Sequence, residues 1–169
     1  MKIDRQGATQ AAVTTLQTDV TSILADTDDL QLRNRNVVRK TITFTGGAGL
    51  GAVGAVPLFT TTGRVHIERL MPYCTVDLVG ATATLALGVT GSTAIFIAAT
   101  TATDLDAADF WVDTAPDPAA VALPAALKEI MIDANIIGTV ATADITGGAI
   151  LFTAHWWPIS AGATLVAAA

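Results

Sequence analysis

His66, His155, Ser22, Ser92, Ser160 and Cys74 are the side chains of this sequence that could supply a nucleophile and its base. Nucleophilic catalysis needs such residues in a context that exposes and activates them. Ser22 falls in a helical pattern, and neither Ser92 in Gly91-Ser92-Thr93 nor Ser160 lies in the G-x-S-x-G turn that lifts a serine above a sheet. His66 alternates with Val65 and Ile67 and so faces the other side of its strand, as a surface or interface histidine would. His155, beside Trp156-Trp157-Pro158, reads as a packed strand residue. No carboxylate pair occupies a strand context. No enzymatic reaction is expected.

Two further patterns resemble ligand sites. Gly49-Leu50-Gly51-Ala52-Val53-Gly54 fits G-x-G-x-x-G after a plausible strand, Thr41–Thr45. A dinucleotide turn also requires a helix whose N-terminus holds the pyrophosphate, and Pro57 with the Thr60-Thr61-Thr62-Gly63 run would break one within two turns. A flexible glycine-rich loop between strands is expected instead. Asp104, Asp106, Asp109, Asp113 and Asp117 crowd one loop with no cation among them. Oxygen-rich loops suit calcium, but the spacing lacks the alternating ligands, central Gly and terminal Glu of an EF-hand. A solvated acidic loop is expected over 104–117, with calcium the alternative. Cys74 stands alone, so neither a disulfide framework nor a thiolate metal site can form within the chain. No cofactor is implied.

The surroundings of these residues point to a structural role. Of 169 residues, 51% are hydrophobic and only 14% charged. That is too little charge to solvate a lone monomer's surface comfortably, so self-association is expected. A net charge of -6 argues against a nucleic-acid partner. Residues 1–40 are nearly neutral, whereas the remaining 129 residues hold three cations and ten anions. Three stretches carry no charge, Thr41–Gly63, Leu78–Thr103 and Ile145–Ala169. They are rich in Thr and Gly and broken by Pro57 and Pro158, so they are not read as membrane helices. The N-terminus Met1-Lys2-Ile3-Asp4-Arg5-Gln6 lacks the apolar core of a signal peptide.

Two kinds of element must position everything else. Val13, Leu16, Val20, Ile23 and Leu30, with Thr27 filling one step, recur at intervals of three and four. This narrow heptad stripe suits a two- or three-stranded coiled coil better than a helix lying on a broad core, although packing on the chain's own domain is the alternative. From Ile42 and Phe44 onward the period is two: Val65 and Ile67; Leu85, Leu87 and Val89; Ile95 and Ile97; Ile130 and Ile132; Ile150 and Phe152. Turns are read at Thr62-Gly63, Gly91-Ser92, Pro116-Asp117-Pro118 and Gly147-Gly148, and one helical turn within Val121–Leu127. The fold class is therefore mainly β, an antiparallel sandwich or barrel of jelly-roll type with about seven strands over 37–169. It follows a helical oligomerisation or docking segment over 1–36.

The remaining candidates concern contact. Arg33, Arg35, Arg39 and Lys40 form the one basic cluster. They suit either a helix C-terminus, where the dipole favours cations, or docking to an acidic partner. Trp156 and Trp157 face opposite ways on a strand, and a seam between subunits is preferred to a sugar-stacking platform.

The segment Thr15–Gln31 resembles the short helices that begin many tailed-bacteriophage virion proteins. Ala83–Val89, Ala94–Ala98 and Asp144–Gly148 leading to Phe152–Ser160 are similar in texture to small β-sandwich capsid decoration (cement) proteins and head fibres. The resemblance implies a homotrimer on the capsid surface that binds the major capsid protein and stabilises the assembled head, without catalytic residues. It leaves as alternatives a head-fibre, tail or baseplate protein touching a host glycan and, outside the virion, a carbohydrate-binding module.

Overall fold

The computed structural model describes residues 13–22 and 36–169. The chain divides into two units, Met1–Asn34 and Arg35–Ala169. In the first, residues 13–22 are helical. Thr18 Oγ1 donates to the Thr14 carbonyl at 3.0 Å and Thr21 Oγ1 to that of Gln17 at 2.9 Å, so the helix's own carbonyls satisfy these hydroxyls.

In the second unit the alternation becomes nine strands: β1 Asn36–Thr43, β2 Gly54–Thr62, β3 Val65–Val79, β4 Thr84–Val89, β5 Ser92–Thr101, β6 Lys128–Ile132, β7 Ile136–Ala141, β8 Gly147–Pro158 and β9 Thr164–Ala167. They form two antiparallel sheets ordered β1-β8-β3-β6 and β5-β4-β7-β2-β9. The pairing is nested: β1 with β8, β2 with β7, β3 with β6 and β4 with β5. An eight-stranded hairpin folded across itself in this way is a jelly roll, the expected class of fold. β9 extends the second sheet along β2 from Phe59↔Ala167 to Thr62↔Thr164.

The core lies between the sheets, where alternate side chains turn inward. Ile42, Ile67, Leu70, Ile150 and Phe152 of the first sheet meet Val56, Leu58, Leu85, Leu87 and Ile136 of the second, all almost fully buried. Trp111, from the long β5–β6 connection, is fully buried and meets Phe152 edge-on with centroids 6.5 Å apart. Its Nε1 donates to Thr100 Oγ1 at 3.0 Å, which ties this connection to β5 and satisfies the one polar atom of the indole.

Two local expectations are corrected. Gly147-Gly148 is the opening of β8, not a turn. Gly148 has φ of 99°, and a Cβ there would lie 2.4 Å from the Asp77 carbonyl oxygen, so glycine lets β3 and β8 approach closely. The glycine-rich segment before β2 is pinned, because the Leu50 and Ala52 amides both donate to the Gly47 carbonyl and the Ile145 amide to that of Gly51. A strand, β2, follows it, so no helix terminus stands behind the glycines. Pro57 lies inside β2, next to a register shift between Pro57 and Phe59, where a missing N–H interrupts little. The expected helical turn is present as a 3-10 turn, Ala125–Leu127.

Candidate functional site

On the first sheet the positions alternating with the core face outward and lie in register across several strands. Thr41 pairs with Leu151, Leu151 with Tyr73, Tyr73 bridges to Phe110, and Phe110 to Asp117. The last two belong to the β5–β6 connection, which continues the sheet where β6 has ended. Its backbone is held against β3 by Cys74 N–H to the Asp109 carbonyl at 2.9 Å, Ala108 N–H to that of Cys74 at 2.9 Å and Trp111 N–H to that of Pro72 at 3.2 Å. Trp111 therefore turns into the core and Phe110 outward, 5.5 Å from the Tyr73 ring.

Between this connection and the sheet lies a groove of about 530 Å³. Met71, Tyr73 and Leu151 form its floor, and Phe110, Val121 and Leu123 its wall. The volume suits a small apolar ligand or an apolar side-chain cluster. In the sequence Phe110 falls in the expected acidic loop and Val121 and Leu123 in the expected helical turn, and none of the six is a candidate site residue. Met71 and Tyr73 alternate with the buried Leu70 and Cys74, but the register shift after Ile67 hides that alternation in the sequence, and the proximity of Phe110 depends on the connection's path.

A second cluster lies where β3, β6 and β8 meet. His66 stacks on Trp157 with centroids 3.9 Å apart and rings 19° from parallel, and its Nε2 is 3.3 Å from Glu129 Oε2. The register places His66 opposite both Met131 and Trp157. Glu129 has φ of 55°, an uncommon left-handed backbone for a residue with a Cβ. His66 thus faces outward as expected, against side chains of its own sheet. Trp156, expected at a subunit seam, is instead 8% exposed within the core, since it shares the inward alternation of Ile150, Phe152 and Ala154. Trp157 is half-buried, with one ring face covered by His66.

Three of the five carboxylates of the acidic connection accept backbone amides. Asp109 Oδ2 accepts from the Asp106 amide at 3.0 Å, Asp113 Oδ1 from Ala115 at 2.7 Å and Asp117 Oδ1 from Ala119 at 2.7 Å. These are loop-forming Asx contacts. No group of three His, Cys, Asp or Glu suited to a metal occurs among the described residues. Ser160 Oγ accepts the Arg64 amide at 2.9 Å. Cys74 is buried, its thiol 3.3 Å from the Val76 carbonyl, and burial pushes its pKa up to about 11. At neutral pH it is not a thiolate nucleophile.

Arg39 and Lys40 lie in β1, which corrects their assignment to a helix C-terminus. Arg39 is exposed on the outer face. Lys40 Nζ donates to the Ala168 carbonyl at 2.5 Å and so fastens the C-terminal segment beyond β9. Ile23, Leu30, Arg33 and Arg35 lie outside the described residues. In the helix over 13–22 every residue is exposed, with Val13 at 48%, Leu16 at 63% and Val20 at 54%. No helix among the described residues is long and apolar enough to cross a membrane.

No family model matches the chain, and no curated protein does. Among solved structures, a chain of the cyanophage Pam1 capsid asymmetric unit is similar at 18% identity and a TM-score of 0.38, over 74% of this chain and 85% of that chain. Similarity of that depth does not establish a common fold, so the jelly-roll topology rests on the strand order itself.

Proposed function

We propose that this chain is a bacteriophage virion structural protein, a decoration subunit that binds the assembled head as a homotrimer and stabilises it. The observation that carries this reading is the stripe Val13, Leu16 and Val20, apolar at heptad spacing and about half exposed or more. Burying each such side chain against other copies contributes roughly 1.5–3 kcal/mol, and a stripe this narrow is geometrically matched to other helices. Joined to it is a sandwich with few charges, suited to repeated neutral contacts over a shell. The partners are then copies of itself and the major capsid protein. Trp157 and Arg39 are the outward-facing candidates for such contacts, while Trp156 belongs to the core.

Particles made without the protein are expected to assemble with normal geometry and to lose their genome at a lower temperature, because a ligand of the assembled shell stabilises it by mass action. Particles that are equally robust but unable to adsorb to cells would replace this reading with a fibre or tail role. Leu16→Asp combined with Ile23→Asp is expected to dissociate the trimer, as read by light scattering, because unpaired charges would enter an apolar seam. A wild-type chain that is monomeric at micromolar concentration would contradict the trimer.

A further inference from the structure

We infer that the outer face of the sheet β1-β8-β3-β6 is a self-complementary contact for a second copy of this chain, related by a two-fold axis through the groove. This contact is separate from the helical seam.

The floor residues Met71, Tyr73 and Leu151 belong to the two central strands, and the residues on either side of Phe110 are hydrogen-bonded to β3, so the floor and the Phe110 side of the wall are fixed by the fold. Its flanks carry opposite charge. Arg39 lies on β1, exposed, in the row Arg39–Thr153–Met71. Asp113 and Asp117 lie in the connection beyond β3, where Asp104–Ala120 contains no cation.

Rotating one copy by 180° about an axis in the plane of the interface, parallel to the strands, turns the two outer faces together and places each Arg39 flank over the partner's acidic flank and the apolar centre over itself. Two-fold contacts are isologous, so a surface needs this arrangement to recognise its own copy. Opposite charges at the rim fix the orientation, while the apolar centre supplies the affinity. The row from Thr41 to Asp117 spans five rungs and four spacings, roughly 19 Å at about 4.8 Å each, and the eight residues of β1 give about 23 Å along the other direction. A patch of this size is at the small end of specific interfaces, so the pairing is reversible.

Charge reversal in the full chain tests the symmetry. Arg39→Glu alone, or Asp113→Lys with Asp117→Lys, is expected to sediment at half the wild-type mass at concentrations where the wild type is paired. An equimolar mixture of the two variants should regain the wild-type mass, because both flanks are then attractive again. Unchanged mass in either variant, or no recovery on mixing, overturns the proposal. Far-ultraviolet circular dichroism and melting temperature of Arg39→Glu should match the wild type, since Arg39 is exposed; the lysine pair also loses the bonds to the Ala115 and Ala119 amides, so Asp113→Asn with Asp117→Asn, which keeps those acceptors, serves as the second variant and should weaken pairing in the same direction. Independently, Leu151→Cys should cross-link to itself with a short bismaleimide, buried Cys74 remaining unreacted; absence of cross-linking in a fully paired sample counts against the two-fold. Saturable binding of an apolar fluorophore to fully paired wild type would likewise overturn it, assigning the groove to a small ligand.

Discussion

The strands β2, β4, β5, β7 and β9 contain no Asp, Glu, Lys, Arg or His, whereas β1, β3, β6 and β8 contain Arg39, Lys40, His66, Glu68, Arg69, Asp77, Lys128, Glu129 and His155. Both sheets bury one face by the same alternation, so the difference lies in their outer faces. On the neutral sheet the exposed positions are uncharged: Ala55 pairs with Thr139, and Thr139 with Ala86, which is only 7% exposed, while Ile95 and Val166 are exposed aliphatics. Without charges such a surface has little to fix the direction of packing. The charged sheet combines a groove, an aromatic stack and fixed charges of both signs, and so can specify an orientation. On the proposed reading a single jelly roll carries a neutral packing face and an oriented recognition face, and that division is open to direct test.

The largest expected effect is at the link between the sheets. Trp111→Ala removes a fully buried indole and the bond from Nε1 to Thr100, and is expected to cost about 3–5 kcal/mol. Urea denaturation should show this as a lower midpoint; a loss under about 1 kcal/mol would mean that the connection does not join the two sheets energetically.

On the neutral sheet, Gly88→Ala places a Cβ about 2.3 Å from the Ser92 carbonyl oxygen, where β5 begins to curl over β4. A loss of about 1–3 kcal/mol is expected from this overpacking, again read by denaturation.

The charged sheet also contains Cys74, whose raised pKa gives it a signature absent from its neighbour. The folded chain holds the thiol proton up to about pH 11, above the ordinary value of 9.0, while the unfolded chain releases it sooner. The resulting stability is present below pH 9 and is lost as pH rises through 11. Comparing wild type with Cys74→Val across that window isolates the contribution, and identical pH slopes would refute it.

The smallest effect on stability is expected at Ala55→Lys, within about 0.5 kcal/mol, because the residue is exposed. If the neutral face packs on a shell, the same change should weaken attachment to particles measurably, and unchanged attachment would assign docking elsewhere.

Legibility in the sequence followed alternation and failed where strands depart from it. Leu85, Leu87 and Val89 announced β4, and Ile150 and Phe152 announced β8. By contrast β7, Ile-Ile-Gly-Thr-Val-Ala, offers no clean alternation, because Gly138 fits beneath Leu85 and Val56 and supplies no apolar side chain. β2 was obscured by Pro57 and its register shift. β3 runs 15 residues, but the shifts after Ile67, Cys74 and Val76 break its period, so only its first turn of alternation was visible.

The sequence by itself determined the class of fold, the heptad stripe and the absence of a supporting helix behind Gly49–Gly54, because periodicity and chain-breaking residues act locally. Only the tertiary structure decided which faces the outward residues share. Tyr73, Phe110 and Leu151 are separated by dozens of residues and meet because the nested pairing of β3 and β8 sets one register while the β5–β6 connection sets another. The same long-range pairing sent Trp156 into the core and stacked Trp157 on His66, because register across strands is a property of the whole sheet.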